Sequence, residues 1–310
     1  MTDGVLIAGF GGPTPGCCER LSVCDRKPGC EATCFVSGIL GDDPAQAARV
    51  AAVAAHYQDV GGGFSPYNAL AATQADALRS ELRRRGRDVV VALGFRHWSP
   101  WIADACTTLS GCQRTVGLML AVHATGRTAD AYRAACTIPN ITWTASLHDH
   151  PGMATAVAER LRAATIGWSA DRLQRATLVF TAHAIPQPAE RASGYREQVA
   201  VSATLAAQAF GKPEHRIAYQ SAPPPGRVPW STPQIGDMLN ELAASGVKDV
   251  LLQPIGFLID HMEVIYDLDV ESQQQAKRLG LCLTRAATVG DHPAFIAAMA
   301  ERIEQAHLGK

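Results

Sequence analysis

The stretch ATLVFTAHA, residues 176–184, sets leucine, valine and phenylalanine between threonines and ends beside His183 without a single acidic, lysine or arginine side chain. A continuous apolar run of this length, flanked by helical patterns, reads as a strand buried on both faces. Seven other runs share the character: VLIAGF (5–10), DVVVALGF (88–95), TVGLMLAV (115–122), ITWTASL (141–147), RIAYQSA (216–222), DVLLQPIGF (249–257) and LCLTRAATV (281–289). Alanine-rich amphipathic segments such as PAQAARVAAVAAHY (44–57) and TQADALRSELRRRG (73–86) lie between them. Buried strands alternating with helices build parallel sheets covered on both sides.

The expected fold is therefore α/β: two similar doubly wound domains, flavodoxin- or Rossmann-like, each with a four-stranded parallel sheet and with a cleft between them. Two groups of four strands part near DHPGM (149–153), so the expected domains are residues 1–148 and 149–310. In such sheets a ligand binds outside the carboxyl ends of the strands, where strand order reverses. Site residues are thus expected just beyond the strand ends.

Bulk properties narrow the partners. The 310-residue chain has a formal net charge of −1, with acidic and basic residues interspersed, so no broad footprint for nucleic acid or anionic lipid is visible. MTDGVLIAGFGG lacks the basic opening and long apolar core of a signal peptide, and no run is long enough to span a bilayer. A cytoplasmic protein that is not transmembrane is expected. There is no Walker-type phosphate loop, and GFGGP lacks the spacing of a dinucleotide fingerprint.

Chemistry-bearing residues gather after the strands. His183 lies at the end of the fifth run in TAHAIP, as either a hydrogen-bonded structural histidine or a reactive one. PIGFLIDHMEVIYDLDVES (254–272) places Asp260, His261 and Glu263 at a helix start and continues to Asp267 and Glu271. Positions 263, 267 and 271 advance along one helical face with a slow rotation. That row is either a solvated acidic face or a path for a divalent ion. GGGFSPYN (61–68) and GFRHWSPW (94–101) add Ser65 as a helix cap and Arg96 as a fork for a carboxylate. YQSAPPPGRVPW (219–230) supplies Trp230, a wall for a flat apolar ligand or ordinary packing between loop and core.

Nine cysteines is an odd number, and disulfides rarely persist in the cytosol. Cys17, Cys18, Cys24, Cys30 and Cys34 crowd one loop, residues 16–35, close enough for four thiolates to converge on an iron–sulfur cluster or a zinc ion; free or disulfide-linked thiols are the third reading. Cys106, Cys112, Cys136 and Cys282 read as small buried hydrophobes.

Taken together, GFGGP, HYQDVGGGFSPYN, GFRHWSPW, DHPG, TAHAIP with GYREQ, YQS…VPW, PIGFLIDHMEVIYDLDVE and RAATVGDHP stand in the order of the ferrochelatases. The chain resembles that family, and more narrowly its coproporphyrin-using branch. The resemblance implies a lyase of haem biosynthesis, monomeric or homodimeric, which inserts Fe²⁺ into coproporphyrin III without a nucleotide. It implies that His183 and Glu263 face each other across the porphyrin, that His261 and Asp260 support them, and that Asp267 and Glu271 are outer rungs for iron or protons. It places His97 on the opposite wall beside Arg96, a propionate anchor.

Two departures stand out. Phe10 takes the position where much of this branch has a tyrosine able to ligate iron, and GDDP (41–44) replaces a basic segment. The cysteine segment replaces the family's substrate-covering loop, while the [2Fe–2S] ligands found in several members are missing, with Ala129 at the internal position and no cysteine in AERIEQAHLGK. The alternatives are a protoporphyrin IX ferrochelatase, a cobalt or nickel chelatase acting on sirohydrochlorin, and a non-catalytic porphyrin- or haem-binding or redox-sensing protein.

Overall fold

The computed structural model describes residues 2–16, 30–41, 43–123, 125–224 and 226–308. All eight apolar runs form strands. β1 (Asp3–Gly9), β2 (Val89–Phe95), β3 (Thr115–Met119) and β4 (Thr142–Trp143) make one parallel sheet in the order β2-β1-β3-β4. β5 (Thr177–His183), β6 (Arg216–Gln220), β7 (Asp249–Gln253) and β8 (Cys282–Arg285) make a second, in the order β6-β5-β7-β8. The two orders are the same. Strand order reverses between β1 and β3 in one sheet and between β5 and β7 in the other, so each has its own switch point.

Several strands stop before their apolar runs do. In DVLLQPIGF the ladder ends at Gln253, because Pro254 has no N–H to donate, and the rest of the run turns into the loop that carries Asp260 and Glu263. Two compact units emerge: residues 1–120 with 131–144 and 303–310, and residues 121–130 with 145–302. Residues 121–130 and 303–310 are thus separated in sequence from the main part of the unit they group with.

In the second unit, Val179 of β5 and Val250 and Leu252 of β7 are fully buried against Met238 and Leu239 of the helix Ile235–Ala244. Val264 and Leu268 join the same cluster at 0% exposure. Each contributes roughly 1.5–3 kcal/mol through burial. That anchorage holds the helix carrying Glu263 against the sheet face from which Val179, Thr181 and His183 project, since alternate strand residues share a face.

Two Asp-His-Pro tripeptides clasp a helix pair. His150 begins the helix Pro151–Ala164, its Nδ1 accepting from the Gly152 N–H at 3.1 Å, and its Nε2 lies 3.3 Å from Glu301. His292 begins the helix Pro293–Leu308 in the same way, accepting from the Ala294 N–H at 3.2 Å and reaching Glu159 at 2.9 Å. Each cap histidine thus reaches a carboxylate on the other helix. Proline at the first helical position loses no needed hydrogen bond there. The DHPG motif therefore has a local structural task.

Candidate active site

The second unit's switch point assembles the charged groups. His183 ends β5, and Glu263 lies in the first turn of the helix beyond β7; Nε2 and Oε2 are 3.6 Å apart, with the side chains 36% and 42% exposed. This separation is an ion pair just beyond hydrogen-bond reach. It also corrects the expectation that the two groups face each other across a porphyrin: both belong to one unit, and a gap of 3.6 Å cannot admit a macrocycle. They stand side by side because β5 and β7 are hydrogen-bonded neighbours.

Burial alone would depress the His183 imidazole, but Glu263, the Ala184 carbonyl and Asp267 lift it to about 9. Burial would raise Glu263, yet His183 and, more weakly, His261 hold it down to about 2. Between those values the pair is charged. The pair's contribution to stability fades as pH rises through about 9, where His183 loses its proton, and as pH falls through about 2, where Glu263 gains one.

Each member is fixed from behind. The Nδ1–H of His183 donates to the Ala184 carbonyl, and the buried Tyr195 hydroxyl donates to the His183 carbonyl at 2.8 Å. Tyr195 stands edge-on to His123, which burial keeps neutral by lowering it to about 3, with Ser202 at 3.0 Å from its Nε2. The backbone N–H of Glu263 donates to Nδ1 of His261 at 3.2 Å, so His261 supports the pair as a helix cap. Asp260 acts on His261 by charge, opposing the depression that burial imposes on the imidazole. It accepts from Arg285 at 3.0 Å and from the Thr288 N–H at 3.3 Å, while the same guanidinium grips Asp269 with two bonds of 2.6 Å.

The helix beyond Glu263 is not a plain α-helix. Ile265–Ser272 is wound as a π-helix between the short turn Met262–Val264 and the α-helical Gln273–Leu279. Wider turns of this kind are rare and recur at functional sites. Val264, Leu268 and Ser272 form the buried row, and Glu263, Asp267 and Glu271 the row beside it, with Glu271 exposed. The Ser272 hydroxyl closes the wide turn by donating to the Asp267 carbonyl at 2.7 Å.

Asp267 is lifted to about 7, chiefly by burial and further by Glu263 and Glu271, against a hydrogen bond from Ser221 that lowers it. Ser221 sits at φ 65, a left-handed conformation uncommon for serine, and this turn at the end of β6 aims its hydroxyl at the Asp267 carboxylate. Ser221, Gln220 and Tyr195 are site residues that sequence reasoning missed, although YQS and GYREQ mark their positions.

Gly256 explains a tight passage. Its N–H donates to the Thr181 carbonyl at 3.0 Å, and an added Cβ would fall 2.8 Å from Cα of Ala182. Gly256→Ala must therefore push the β7 loop off the end of β5. We expect it to cost about 1–3 kcal/mol in urea unfolding, with kcat falling alongside as His183 moves. Unchanged stability and unchanged kcat would contradict this packing.

In the first unit, Phe10 lies directly after β1 and its ring is 4.6 Å from that of His97, with Phe35 6.1 Å from Phe10. His97 is 6% exposed, packed into this aromatic cluster. Phe10 has no atom to offer a metal and serves here as packing. Ser65 is buried and accepts from the Tyr67 N–H at 3.2 Å, at the start of the helix Tyr67–Arg84. Arg96 is half-buried after β2. In the GDDP segment, Asp43 caps a short turn by accepting from the Ala45 N–H at 2.9 Å. In the second unit, Trp230 is held by its backbone, which pairs with Pro186 and accepts from Gln187 at 3.1 Å.

Cys17, Cys18 and Cys24 lie outside the described residues. Cys30 and Cys34 fall on the helix Cys30–Leu40, the first half-buried and the second buried. Among the described residues no group of three or more His, Cys, Asp or Glu side chains is arranged to hold a metal ion. Cys106 is buried as expected, with Cys136 3.6 Å away. Cys282 is exposed, a correction to its reading as a buried hydrophobe, and receives a hydrogen bond of 3.1 Å from Arg172.

Fold and site define a chelatase-type α/β protein: two parallel sheets of one strand order, with an imidazole–carboxylate pair and an acidic row at a switch point. SirB from Bacillus subtilis with Fe³⁺ shares this fold, with a TM-score of 0.56 and 15% identity, covering 100% of this chain and 97% of that one. The ferrochelatase family model matches residues 41–307. A coproporphyrin III ferrochelatase of Nocardia farcinica (strain IFM 10152) is 36% identical over 94% of this chain and 85% of its own length. One of Propionibacterium freudenreichii subsp. freudenreichii is 35% identical over 97% and 86%. The chain belongs to the ferrochelatase family.

Proposed function

We propose that this chain inserts Fe²⁺ into coproporphyrin III to give coproheme, a lyase step of haem biosynthesis. The observation that carries the reading is the His183–Glu263 pair at 3.6 Å with Asp267 next in the row. Insertion binds one Fe²⁺ and releases two protons from the ring nitrogens. It therefore needs a place for the ion to shed water and groups to receive those protons. An approaching divalent ion favours neutral imidazole over imidazolium, so iron arriving at Glu263 would send the His183 proton to solvent and free a nitrogen lone pair. As the ring N–H bonds break, His183 recovers one proton, and Asp267, poised at about 7, is matched to the second. Glu271, exposed on the same row, is the outer rung for incoming iron or outgoing protons. On the substrate, Arg96 and His97 are proposed for the propionate side and Trp230 and Ser65 for the ring's surroundings.

The relatives named above are both called coproporphyrin III ferrochelatases, which favours the ring with more carboxylates. The test compares kcat/KM for coproporphyrin III and protoporphyrin IX with Fe²⁺ under anaerobic conditions. Preference for coproporphyrin is expected; preference for the less carboxylated ring overturns the substrate, and binding without insertion overturns the activity. We propose that the chain works in the cytoplasm as a monomer or homodimer; no helix of the described residues is long and apolar enough to cross a membrane.

For the cysteine loop we propose an iron–sulfur cluster, with zinc as the alternative. Cys30 and Cys34 stand one helical turn apart on the same side, and thiolates suit either centre. Visible absorption with iron, sulfide and zinc content of anaerobically purified protein separates them.

A further inference from the structure

We infer that Gln220 is a positioning residue for iron insertion, setting the gap between His183 and Glu263 without touching either side chain. This rests on the function proposed above. Gln220 ends β6 and is 1% exposed. Its backbone is in register with His183 on β5, and its carbonyl accepts from the Ala184 N–H at 2.8 Å. Its side chain turns the other way: Nε2 donates to the Glu263 carbonyl at 2.9 Å. One residue thus joins the strand end bearing the imidazole to the helix turn bearing the carboxylate.

That link carries weight because the pair does not fix itself. At 3.6 Å the His183–Glu263 contact is long for a hydrogen bond and held chiefly by charge, which by itself sets neither the separation nor the angle of the two groups. Their spacing has to come from the backbones behind them. The Glu263 peptide is gripped at both ends, its N–H by His261 at 3.2 Å and its C=O by Gln220. It is also the point where the helix widens from Met262–Val264 into the π segment, a place with little intrinsic preference for one geometry. A neutral amide suits this task. Lysine or arginine in its place would compete with His183 for Glu263, whereas glutamine adds geometry and no charge.

The amide orientation is set by its partner, since a carbonyl can only accept and must meet the NH₂. This leaves Oε1 buried with no hydrogen-bond partner among the described residues. The donor end of the amide is thus the end that the protein matches.

Gln220→Met keeps the volume and removes the donor. We expect kcat for Zn²⁺ insertion into coproporphyrin III, followed by fluorescence, to fall about tenfold while porphyrin KM stays within about twofold of the parent. In a Glu263→Ala background the same change is expected to alter the remaining rate by less than about twofold, because the group being aimed is gone. A tenfold loss in both backgrounds, a change confined to KM, or an unchanged kcat would each overturn the inference. Failure of the parent protein to insert any metal would instead strike the proposed function.

Discussion

Replacing His183 by alanine is expected to lower kcat for iron insertion by roughly 10²–10⁴-fold, the range in which a positioned acid–base group contributes. His183 is the ion-pair partner of Glu263 among the described residues, and Tyr195 and Ala184 hold its backbone and ring in one orientation. On the proposed mechanism, the substitution removes a proton acceptor and a nitrogen ligand together. Porphyrin binding, followed by fluorescence quenching, is expected to change by less than about threefold, because the lost group acts on the reacting nitrogens rather than on the ring's edge. A variant that inserts iron at the parent rate would remove His183 from the proposed mechanism. The comparison also separates catalysis from folding, since the His183 side chain is partly exposed and not part of the apolar core.

The second large effect is a dependence of metal affinity on pH in the porphyrin-free protein. A divalent ion needs His183 neutral, and its imidazole stays protonated up to about 9. Below that pH each bound ion must expel a proton, so affinity falls as pH falls, about tenfold per unit and about 100-fold between pH 9 and pH 7. Asp267, lifted to about 7, steepens the fall further below neutrality, where it too must lose a proton to meet the ion. Calorimetric titration with Co²⁺ in buffers of different ionisation enthalpy measures both the affinity and the protons released. Release near one proton is expected at pH 8, rising below pH 7. In Glu263→Gln the imidazole returns toward its ordinary range near 6.5, and the dependence above pH 7 is expected to flatten. A flat profile in the parent would mean that His183 does not meet the ion.

Much of this organisation is legible in the sequence, for physical reasons that also mark where legibility stops. Strands covered on both faces must be apolar throughout, which is why VLIAGF and ATLVFTAHA stand out, and His183 is conspicuous as a titratable group at the end of such a run. Strand order is a tertiary property. Only the pairing of β5 with β7 puts His183 beside Glu263, and the picture drawn from the family resemblance, two groups facing each other across a ring, does not fit that pairing. The acidic row is visible as a spacing of four, but π winding depends on how Val264, Leu268 and Ser272 pack and on bonds from Ser272 and Gln220, none of which a periodicity reveals. The setting of Asp260 is hidden for a similar reason, since Arg285, the guanidinium it accepts from, lies twenty-five positions away.

The wide-turn segment has one more consequence. Because core anchorage and neighbouring amides, rather than bonds among the carboxylates themselves, keep Glu263, Asp267 and Glu271 in sequence along one side, each can take up or give away a proton without its neighbours having to rearrange. On the proposed function, the row is then a fixed set of stations at which an incoming ion and outgoing protons exchange places.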